Sequence, residues 1–509
     1  MDIITDITAR RAELTPDKVA FRDVLTGDKT TYAQLDLRGA RTAGYLAGRG
    51  VRPGDRVGVF CRNRVEFFEL LFGCAKLGAI LVPFNWRMTA RELRDLVDDC
   101  APTLCLAGGE EFALASQALS DTGIELVDLE QDFPAGRDAA QPHAGRQAWP
   151  GDETWYLIYT SGTTGRPKGV IQTYRMALVN YVNIAQATGL TGADSTLNFL
   201  PLFHTAGINL HTLPVLIAGG QVHIMPGFDA GRMLDLINQD QIDILLGVPS
   251  VFRELIEHPD FAAAELTRVR HWASGGAPLP NAIVETFAER GAILCNGFGM
   301  TETGPTAFLA DPAHALSHIG SVGQTQILSQ ARIAAPDGTI LPTGEIGEVQ
   351  FFGPGLTPGY WQRPTETAEL FTDDGWLRSG DLGRIDADGH GYVVGRIKEM
   401  YISGGENVYP AEIEDVLAQH PALADIAIAG VDDHKWGEVG CAYYVSHDGQ
   451  EIPTDQLERW CRDRLAAYKV PRHFIRCDSL PRTAAGKIQK HLLPVPQIRT
   501  ESGYVPTPD

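Results

Sequence analysis

The eight cysteines of this sequence include no C-x-x-C pair and no zinc-ligand spacing. We therefore expect reduced cytosolic thiols rather than disulfides or a structural metal. The N-terminus lacks a basic segment followed by an apolar one, so we expect no secretory signal. The most apolar stretch, residues 70–84, is too short to span a bilayer and carries Lys76. These absences predict a soluble, cytoplasmic protein without integral membrane contact.

Positive charge is also scarce. Lysine and arginine number 43 against 64 aspartates and glutamates, which gives a formal net charge of −21. Such a field repels polyanions at long range, and nucleic acid binding normally needs a clustered basic face. We therefore expect no nucleic acid partner. A nucleotide remains compatible, because a loop of backbone N–H groups with one or two lysines can hold its phosphates locally.

Length and hydrophobic content predict two to four folding units with their own cores. The 509 residues are 44% hydrophobic and 21% charged, close to the globular average. Between residues 33 and 108, helical stretches alternate with apolar runs, which indicates βαβ units and a parallel sheet. Thr89 and Glu92 form a capping-box pattern that predicts the start of one of these helices. A second alternating stretch covers residues 195–300.

The C-terminal part has a different pattern. From residue 346 to about 397, closely spaced glycines predict short strands and hairpins. After Lys398 the pattern predicts a helix opening at Pro410, several strands, and a helix at 455–467. These residues predict a small α+β domain that begins near residue 398. The polar tail, residues 498–509, is expected to be poorly ordered.

The most informative motif follows a strand-like run at residues 154–158. It reads YTSGTTGRPKGV over residues 159–170. Its small hydroxyl residues, glycines and lysine can surround a polyphosphate with N–H and O–H donors. It is not a Walker A loop, and residues 297–302 do not complete a G-x-G-x-x-G motif because Glu302 occupies the last position. Composition alone does not decide between a phosphate loop and a flexible connector.

The complete string resembles the phosphate-binding signature of the adenylate-forming superfamily, which includes acyl-CoA synthetases, peptide-synthetase adenylation domains and beetle luciferases. Five further strings resemble motifs of this family in its order: LPLFHTAG at 200–207, NGFGMTET at 296–303, SGDLG at 379–383, GRIKE at 395–399 and PRTAAGKI at 481–488. The resemblance is to the branch of aryl- or medium-chain acid:CoA ligases.

This resemblance implies an α/β fold. A large N-terminal region of two α/β subdomains plus a β-rich subdomain is hinged to a small mobile α+β C-terminal domain. The implied N-terminal adenylation domain, residues 1–397, binds ATP and the acid. The implied C-terminal mobile domain, residues 398–509, carries the catalytic lysine and serves the CoA half-reaction. The boundary suggested by composition agrees with this division.

The resemblance also implies a two-step reaction that uses ATP, Mg²⁺ and coenzyme A. A carboxylate and ATP give acyl-AMP and pyrophosphate, and CoA then displaces AMP to give acyl-CoA. Both reactants of the first step are anionic, so positive charge is needed where they meet. Lys487 resembles the lysine that supplies this charge. Glu302 resembles the Mg²⁺ ligand, Thr301 the α-phosphate contact, and His204 the residue beside the substrate carboxylate.

Further residues complete the implied nucleotide site. Asp381 matches the ribose position, where two carboxylate oxygens suit vicinal hydroxyls, and Arg396 matches the second ribose contact. Phe298 stands where the family commonly has a tyrosine against adenine, which keeps the stacking surface and loses a hydroxyl. The full predicted ATP/AMP set is Thr160, Ser161, Gly162, Thr163, Thr164, Gly165, Lys168, Gly276, Ala277, Pro278, Asn296, Gly297, Phe298, Gly299, Met300, Thr301, Asp381, Arg396 and Lys487.

Residues placed by the resemblance at the acyl pocket are mostly apolar and small. They are Phe203, His204, Asn209, Val248, Gly275, Gly276, Ala277, Gly299, Met300 and Pro305. Such a lining favours a medium-chain, alicyclic or aromatic acid over acetate, and Asn209 is a candidate contact for a polar substituent. His211 is expected on the same helical face as His204, but no third ligand is apparent and we assign no metal site there.

The mobile domain has its own implied residues. Lys398 matches the hinge position, about which this domain would rotate between the two half-reactions. The loop implied to face CoA consists of Ser403, Gly404, Gly405 and Glu406. Glycines in it suit the close passage of a thin ligand.

Members of the family differ in substrate. Amino-acid adenylation domains usually have an aspartate where this chain has His204, so an amino-acid substrate is disfavoured. An oxygenase of the luciferase kind is a minor alternative in a chain without a peroxisomal ending. Two alternatives stay open: a non-catalytic nucleotide-binding member of the fold, and an adenylating enzyme with a non-CoA acceptor. The expected partners are a small carboxylic acid, ATP and CoA, with a homodimer as an option.

Overall fold

The computed structural model describes residues 2–146, 148–160, 167–482 and 488–494. The chain divides into two compact units. The first comprises Met1–Arg332, Gln350–Ser379 and Asp386–Gly391, and the second comprises Ile333–Val349, Gly380–Ile385 and Tyr392–Asp509. Both contain helices and strands, so the expected α/β class with a large and a small part is confirmed. The boundary placed at residue 398 stays a prediction.

A six-stranded sheet of the first unit carries the phosphate motif at one edge. Five of its strands run parallel. The sixth, Lys168–Thr173, lies at the edge and forms an antiparallel hairpin with Thr154–Thr160. In order across the sheet, the strands are Lys168–Thr173, Thr154–Thr160, Ile80–Pro83, Arg56–Phe60, Leu104–Ala107 and Glu125–Asp128. The helices Tyr32–Gly48, Val65–Leu77 and Ala90–Cys100 alternate with these strands. The βαβ pattern predicted for residues 33–108 is therefore confirmed.

The capping box at Thr89 forms as predicted. The Thr89 N–H donates to Glu92 Oε2 at 2.8 Å, and the Glu92 N–H donates to Thr89 Oγ1 at 3.3 Å. Leu93 and Leu96 of the following helix are buried in a cluster that includes Val82 of the sheet. The local cap therefore starts the helix, and its apolar face then attaches it to the sheet.

Two further sheets lie in the first unit. A four-stranded sheet has the order Ser195–Asn198, Gln221–Ile224, Val19–Asp23 and Lys29–Thr31. A five-stranded sheet has the order Ile244–Gly247, His271–Ser274, Leu294–Phe298, Phe308–Leu309 and Gln324–Thr325. The first three strands of the five-stranded sheet are parallel, so their carboxyl ends meet at one edge. Ligands of open α/β sheets bind at such an edge.

The other elements of the first unit connect or flank these sheets. A small antiparallel pair joins Ile3–Thr5 to Ala148–Pro150. The further α-helices are Ile7–Leu14, Glu111–Leu119, Phe133–Ala139, Tyr174–Thr188, Thr212–Ala218, Ala230–Asn238, Pro249–Glu257, Asn281–Glu289 and Pro364–Leu370. A π-helix covers Ala206–Leu210, and 3₁₀ turns cover Pro259–Ala263, Leu266–Arg268 and Thr301–Thr303.

The glycine-rich stretch contains strands, as predicted. They are Gly347–Phe352, Leu377–Ile385 and Gly391–Arg396, and a further strand, Gln330–Ala334, precedes the stretch. The helix Pro364–Leu370 in this stretch was not predicted. It is only seven residues long and has one buried residue, Leu370, so it carries too little apolar periodicity to stand out.

The second unit has its own sheet and core. Its strands are ordered Glu406–Val408, Tyr401–Ser403, Gly437–Ser446 and Leu423–Asp433, with His473–Arg476 parallel to the third. The helices Pro410–Ala418 and Thr454–Arg462 bury Ile413, Leu417 and Leu457 against this sheet. Short 3₁₀ turns cover Ala467–Lys469 and Lys490–Leu492. The predicted small α+β pattern is confirmed.

Across the described ranges, no helix has both the length and the apolar character needed to cross a bilayer. The tail predicted to be poorly ordered, residues 498–509, lies outside the described residues.

Candidate active site

The phosphate motif is closed at its base by the antiparallel hairpin. Thr160 ends one strand and pairs with Lys168, which begins the next. Thr160 Oγ1 donates to the Lys168 carbonyl at 3.5 Å. Lys168 Nζ lies 5.1 Å from the ring centroid of Tyr360. The central residues of the motif, Ser161, Gly162, Thr163, Thr164 and Gly165, lie outside the described residues.

Glu302 lies in the 3₁₀ turn Thr301–Thr303 and is 7% exposed. The Tyr360 hydroxyl donates to Glu302 Oε1 at 2.9 Å. Burial and the neighbouring carboxylate raise the pKa of Tyr360 well above its ordinary range, so the hydroxyl keeps its proton and remains a donor. The Glu302 carbonyl accepts from the Thr357 N–H at 2.8 Å. Both the side chain and the backbone of this residue are therefore fixed from outside its own turn.

Thr301 is held by a buried glutamine. Gln172, on the strand that follows the phosphate motif, donates from Nε2 to the Thr301 carbonyl at 3.0 Å. Its Oε1 accepts from Asn209 Nδ2 at 3.3 Å. Asn209 also donates to Thr205 Oγ1 at 2.9 Å and accepts from the Tyr156 hydroxyl at 2.6 Å. A continuous hydrogen-bonded chain thus joins the segment after His204 to the Thr301–Glu302 turn.

The residues of this hydrogen-bonded network are almost completely buried. Gln172 is 0% exposed, Asn209 and Tyr156 are each 1% exposed, and Thr205 is 8% exposed. Buried polar groups that are fully hydrogen-bonded fix one arrangement, because breaking any bond leaves a desolvated polar atom. The Asn209 side chain is bonded to three protein groups, so the structure supports a positioning role for it. Direct contact of Asn209 with a substrate substituent stays a prediction.

The predicted adenine-binding segments follow two neighbouring parallel strands. Ser274 is paired with Asn296, so residues 275–278 and 297–300 leave the same edge of the sheet. Gly276 has φ +82°, a left-handed conformation that favours glycine. A Cβ on Gly299 would lie 1.5 Å from the Pro305 carbonyl oxygen, so no larger residue fits there. The structure therefore brings together Gly276, Ala277, Pro278, Asn296, Gly297, Phe298, Gly299 and Met300.

Phe298 is supported on one side by a second aromatic ring. Its ring stacks on Phe351 with centroids 6.1 Å apart and an interplanar angle of 24°. This contact fixes the plane of the ring that we predict against adenine.

His204 lies in an aromatic environment. Its ring packs on Phe203 with centroids 4.6 Å apart, and Phe203 makes an edge-to-face contact with Trp86 at 6.5 Å. Two guanidinium groups, those of Arg62 and Arg87, lie over the Trp86 ring at 4.8 and 4.3 Å. Val248, another predicted pocket residue, follows the strand Ile244–Gly247 and precedes the helix Pro249–Glu257.

In the second unit, the predicted ribose residues lie together. Arg396 Nε donates to Asp381 Oδ1 at 3.1 Å. The Asp381 carboxylate is 6% exposed, whereas the Arg396 side chain is 52% exposed. Lys398 is exposed immediately after the strand that ends at Arg396.

The predicted CoA-facing loop is the tip of a hairpin. Ser403 is paired with Glu406, and the intervening Gly404 and Gly405 have φ of +61° and +90°. Both glycines and Glu406 are exposed. Gly404 packs against the Trp436 ring, whereas a Cβ on Gly405 would meet nothing within 4 Å, so the backbone at Gly405 is the open part of this tip.

Lys487 lies outside the described residues, but its flanks are placed. Arg482 and Ile488 form an antiparallel bridge. Lys490 Nζ lies 2.9 Å from Glu399 Oε2 and 2.8 Å from Glu414 Oε1. Burial acts to lower the pKa of Lys490, yet these two carboxylates raise it overall, so this lysine stays charged.

Sequence reasoning did not identify Tyr360, Gln172 or Trp86. Tyr360 contacts Glu302 from 58 positions away, and Gln172 contacts Thr301 from 129 positions away. The only local signal for Tyr360 is the Gly-Tyr pair to which it belongs, and the only one for Gln172 is its position two residues after the phosphate motif. Neither signal names a partner.

These features define a class of protein: a nucleotide-binding enzyme with a phosphate loop, a buried turn that presents a carboxylate, and a separate small domain. The chain matches the AMP-binding enzyme family model over residues 8–361 and the AMP-binding enzyme C-terminal domain model over residues 412–487.

Comparison with known proteins defines the branch. The chain is 40% identical over 482 residues to a feruloyl-CoA synthase of Amycolatopsis sp, covering 94% of this chain and 96% of the relative. It is 36% identical to an indoleacetate–CoA ligase of Aromatoleum aromaticum over 489 residues, covering 94% and 95%.

Solved structures of o-succinylbenzoate CoA synthetase from Bacillus subtilis share the fold. The complex with an acyl-adenylate intermediate superposes with a TM-score of 0.88 at 30% identity, covering 97% of this chain and 98% of that one. The complex with ATP and magnesium ion gives 0.87 at 30%, covering 96% and 99%. The chain belongs to the AMP-binding enzyme family, in its acyl-CoA synthetase branch, and the family resemblance read from the sequence is confirmed.

Proposed function

We propose that this protein is an ATP-dependent ligase that joins an aromatic carboxylic acid to coenzyme A through an acyl-adenylate. The observation that carries the proposal is the buried Glu302 turn. Its carboxylate is oriented by Tyr360, and its backbone is joined through Gln172 and Asn209 to the segment that holds His204. A nucleotide-side group and an acid-side group are thus held by one hydrogen-bonded framework.

The donor set at Glu302 fits Mg²⁺. Magnesium takes oxygen ligands and is usually bound by one or two protein carboxylates together with substrate phosphates. Glu302 offers a carboxylate that is buried, hydrogen-bonded on one oxygen and set beside the strand carrying Lys168. We propose that Glu302 holds the ion. When bound, Mg²⁺ neutralises charge on the polyphosphate.

The other residues of the first unit would hold the two reactants. The phosphate motif between Thr160 and Lys168 binds the polyphosphate through backbone and hydroxyl donors. Phe298 stacks on adenine, and Thr301 contacts the α-phosphate. His204 orients the substrate carboxylate for attack on the α-phosphorus, and proximity of the two groups lowers the entropic part of the barrier.

The second unit would supply the remaining groups. Asp381 and Arg396 bind the ribose, with the carboxylate accepting from the hydroxyls. Lys487 places positive charge on the two anions that react. Lys398 is the hinge of a mobile domain that begins at this residue, and the loop from Ser403 to Glu406 serves the thioester step, in which the CoA thiol displaces AMP.

The aromatic side chains beside His204 support an aromatic acid. Phe203 and Trp86 form an edge-to-face pair next to His204, and aromatic rings favour such contacts with further rings. The feruloyl-CoA synthase and the indoleacetate–CoA ligase are named for aromatic acids. We therefore place an aryl acid ahead of the alicyclic and medium-chain alternatives.

The test is a panel of acids incubated with ATP and Mg²⁺, with and without CoA. The panel contains phenylpropenoates, arylacetates, benzoates, cyclohexanecarboxylate and octanoate. Pyrophosphate release without CoA and AMP release with CoA report the two steps, and mass spectrometry identifies the acyl-CoA. We expect the aryl acids to give the highest kcat/KM.

Each alternative has its own outcome. A non-catalytic nucleotide-binding protein binds ATP but releases no pyrophosphate with any acid. An enzyme with a non-CoA acceptor releases pyrophosphate and accumulates acyl-AMP, yet forms no acyl-CoA. A preference for octanoate would keep the ligase reaction and overturn the aromatic assignment.

The homodimer and the cytoplasmic location are parts of the proposal that need separate tests. Light scattering after size-exclusion chromatography measures the mass of the particle, and fractionation of cells that express the protein locates it. A monomer or a membrane-associated fraction would overturn the respective expectation.

A further inference from the structure

Asp99 lies near the end of the helix Ala90–Cys100 and has no assigned role in the reaction. One of its carboxylate oxygens, Oδ2, accepts a hydrogen bond from the Tyr159 hydroxyl at 2.6 Å. The other, Oδ1, pairs with the Arg363 guanidinium. The Asp99 side chain is 16% exposed and that of Arg363 is 29% exposed, so water and salt screen this pair less than one on the open surface.

The segment 357–363 lies along the outer side of the edge strand Lys168–Thr173, which carries the end of the phosphate motif. Tyr360 forms an antiparallel bridge with Val170 of that strand. The Trp361 N–H donates to a carbonyl group of the same strand at 2.7 Å. The backbone around Tyr360 is therefore held on one side by the sheet.

Asp99 joins the two neighbours of this edge strand. Tyr159 lies on the strand that pairs with its inner side, whereas Arg363 ends the segment on its outer side. Between them, a Cβ on Gly169 would lie 3.3 Å from Tyr159 Cζ and 3.4 Å from Trp361 Cβ. The contacts of Asp99 therefore span the edge strand close to its first residue.

The chain between Tyr360 and Arg363 adopts an unusual conformation. Gln362 has φ +52°, in the left-handed region, which costs energy for a residue other than glycine. Such a conformation persists only where the surrounding contacts over-determine it. The Arg363 N–H donates to the Tyr360 carbonyl at 3.3 Å, and the Arg363 side chain is held by Asp99. The pair with Asp99 is thus one of the contacts that hold this turn.

Tyr360 is the residue through which these contacts reach the nucleotide site. Its hydroxyl donates to Glu302 Oε1 at 2.9 Å, and its ring centroid lies 5.1 Å from Lys168 Nζ. A tyrosine side chain is rigid apart from two torsions, so a displaced backbone carries the hydroxyl away from Glu302. Contacts that fix the backbone of Tyr360 therefore also fix the orientation of the Glu302 carboxylate.

We propose that Asp99 is a positioning residue of the nucleotide site. By holding Tyr159 with one carboxylate oxygen and Arg363 with the other, it fixes the segment from which Tyr360 orients Glu302. This assignment rests on the proposed ligase function, in which Glu302 holds Mg²⁺, and extends it to a residue that acts through its neighbours. Loss of the Asp99 charge should weaken the binding of ATP with Mg²⁺ and leave the acid unaffected.

The first experiment measures the Kd for ATP with Mg²⁺ by titration calorimetry. Asp99→Asn keeps the shape of the side chain and removes the charge that pairs with Arg363. We expect the Kd to rise by about three- to tenfold, because an indirect effect is smaller than the loss of a whole hydrogen bond to a charged group. An unchanged Kd would overturn the proposal.

Glu153→Gln is the matched control for this measurement. Glu153 pairs with Arg146 in the same unit, and their side chains are 32% and 27% exposed, so the pair is about as accessible as that of Asp99 and Arg363. The control should leave the Kd within about twofold of the unmodified protein, as expected for a partly exposed pair away from the site. An equal rise in Glu153→Gln and Asp99→Asn would contradict a specific role of Asp99.

The second experiment tests whether Asp99 acts through Tyr360. In a Tyr360→Phe background, Asp99→Asn should change the Kd by less than about twofold, because the hydroxyl that it positions is already absent. Arg363→Gln should behave like Asp99→Asn, and the double variant of these two should be no worse than either one. Full additivity of Asp99→Asn and Tyr360→Phe would show a merely structural role and would overturn the proposal.

Two further measurements separate positioning from a general loss of stability. Hydrogen exchange should become faster at the Trp361 amide of Asp99→Asn and stay unchanged around Ile413 of the second unit. In turnover, KM for ATP should rise while KM for the acid stays within about twofold, and Asp99→Glu should restore part of the ATP affinity. A parallel rise of both KM values would contradict the proposal. If Asp99→Asn does not fold, Arg363→Gln and Tyr159→Phe test the same two contacts.

The outcomes separate this inference from the ligase proposal. If the unmodified protein binds no ATP and releases no pyrophosphate with any acid, the proposed function and the positioning role both fail. If it binds ATP and releases pyrophosphate, and Asp99→Asn binds ATP equally well, the ligase stands and only the positioning role fails.

Discussion

The predicted site residues of the two units differ in burial, although Asp381 of the second unit is buried as well. In the first unit, Glu302, Gln172 and Asn209 are buried and joined to fixed partners. In the second, Lys398 and Gly405 are exposed, and the Arg396 side chain is 52% exposed. Fully bonded buried groups hold a single geometry, whereas exposed ones change partner at little cost. The buried residues of the first unit suit a fixed framework for adenylation. The exposed residues of the second unit suit groups that act one after the other, in adenylation and then in thioester formation.

The largest effect is expected from the second unit. Lys487→Ala should lower the adenylation rate by about 10² to 10³, by analogy with the loss of one preorganised donor, because Lys487 is the residue that we propose to place positive charge where the anions meet. Thioester formation from supplied acyl-AMP should be largely retained. Rapid-quench measurement of each half-reaction checks this, with Lys435→Ala as an exposed-lysine control in the same unit. Equal losses in both half-reactions would contradict the separation of roles.

The next effect concerns the proposed hinge. Lys398→Pro fixes φ and removes a backbone donor, so it should reduce thioester formation by about tenfold or more relative to adenylation. Lys398→Ala leaves the backbone free and is the matched control. The measured quantity is the ratio of the two single-turnover rates. An unchanged ratio in the proline variant would show that no required movement occurs at this residue.

A smaller effect is expected from removing the hydrogen bond that orients the Glu302 carboxylate in the first unit. Tyr360→Phe removes the hydroxyl that orients Glu302 and should raise the Mg²⁺ concentration for half-maximal pyrophosphate release by about tenfold, the scale of one hydrogen bond to a charged group. Tyr32→Phe is the control, since its buried hydroxyl donates to the Gly220 carbonyl at 2.7 Å. The same shift in both variants, or none in Tyr360→Phe, would exclude a positioning role for Tyr360.

Acid should destabilise the first unit gradually. Burial lowers the pKa of His211 to about 3 and those of His223 and His271 to about 4, whereas unfolded histidine titrates near 6.5. Below that pH the unfolded chain binds more protons, so the free energy of unfolding falls as pH drops from about 6.5 towards 4. The slope approaches about 1.4 kcal/mol per pH unit for each histidine.

Calorimetry between pH 7.5 and 4.5 measures this loss. His271→Asn should reduce the slope, because asparagine does not titrate. Hydrogen exchange at low pH should then show protection lost in the strands around His271 before those around Ile413 of the second unit. A melting temperature that does not depend on pH in this range would contradict the neutral state of these histidines.

Much of the fold was predictable because its signals are local. The capping box at Thr89, the strand–helix alternation up to residue 108 and the proline-initiated helix at Pro410 all depend on neighbouring residues. The helix Pro364–Leu370 was missed because seven residues with one buried side chain give almost no periodicity. Asn209 was expected to be a candidate for meeting a substrate. Two of its three side-chain partners, Tyr156 and Gln172, lie on segments that only folding brings close.

The sequence by itself determined the family, the reaction type and the motifs that carry it, since a phosphate loop or a Thr-Glu turn is written in consecutive residues. Tertiary structure alone decided which groups hold those motifs: Tyr360 on Glu302 and Gln172 on Thr301. The reason is physical. Such contacts depend on strand order and register, which place residues 58 or 129 positions apart within hydrogen-bond distance, and no local pattern records that distance.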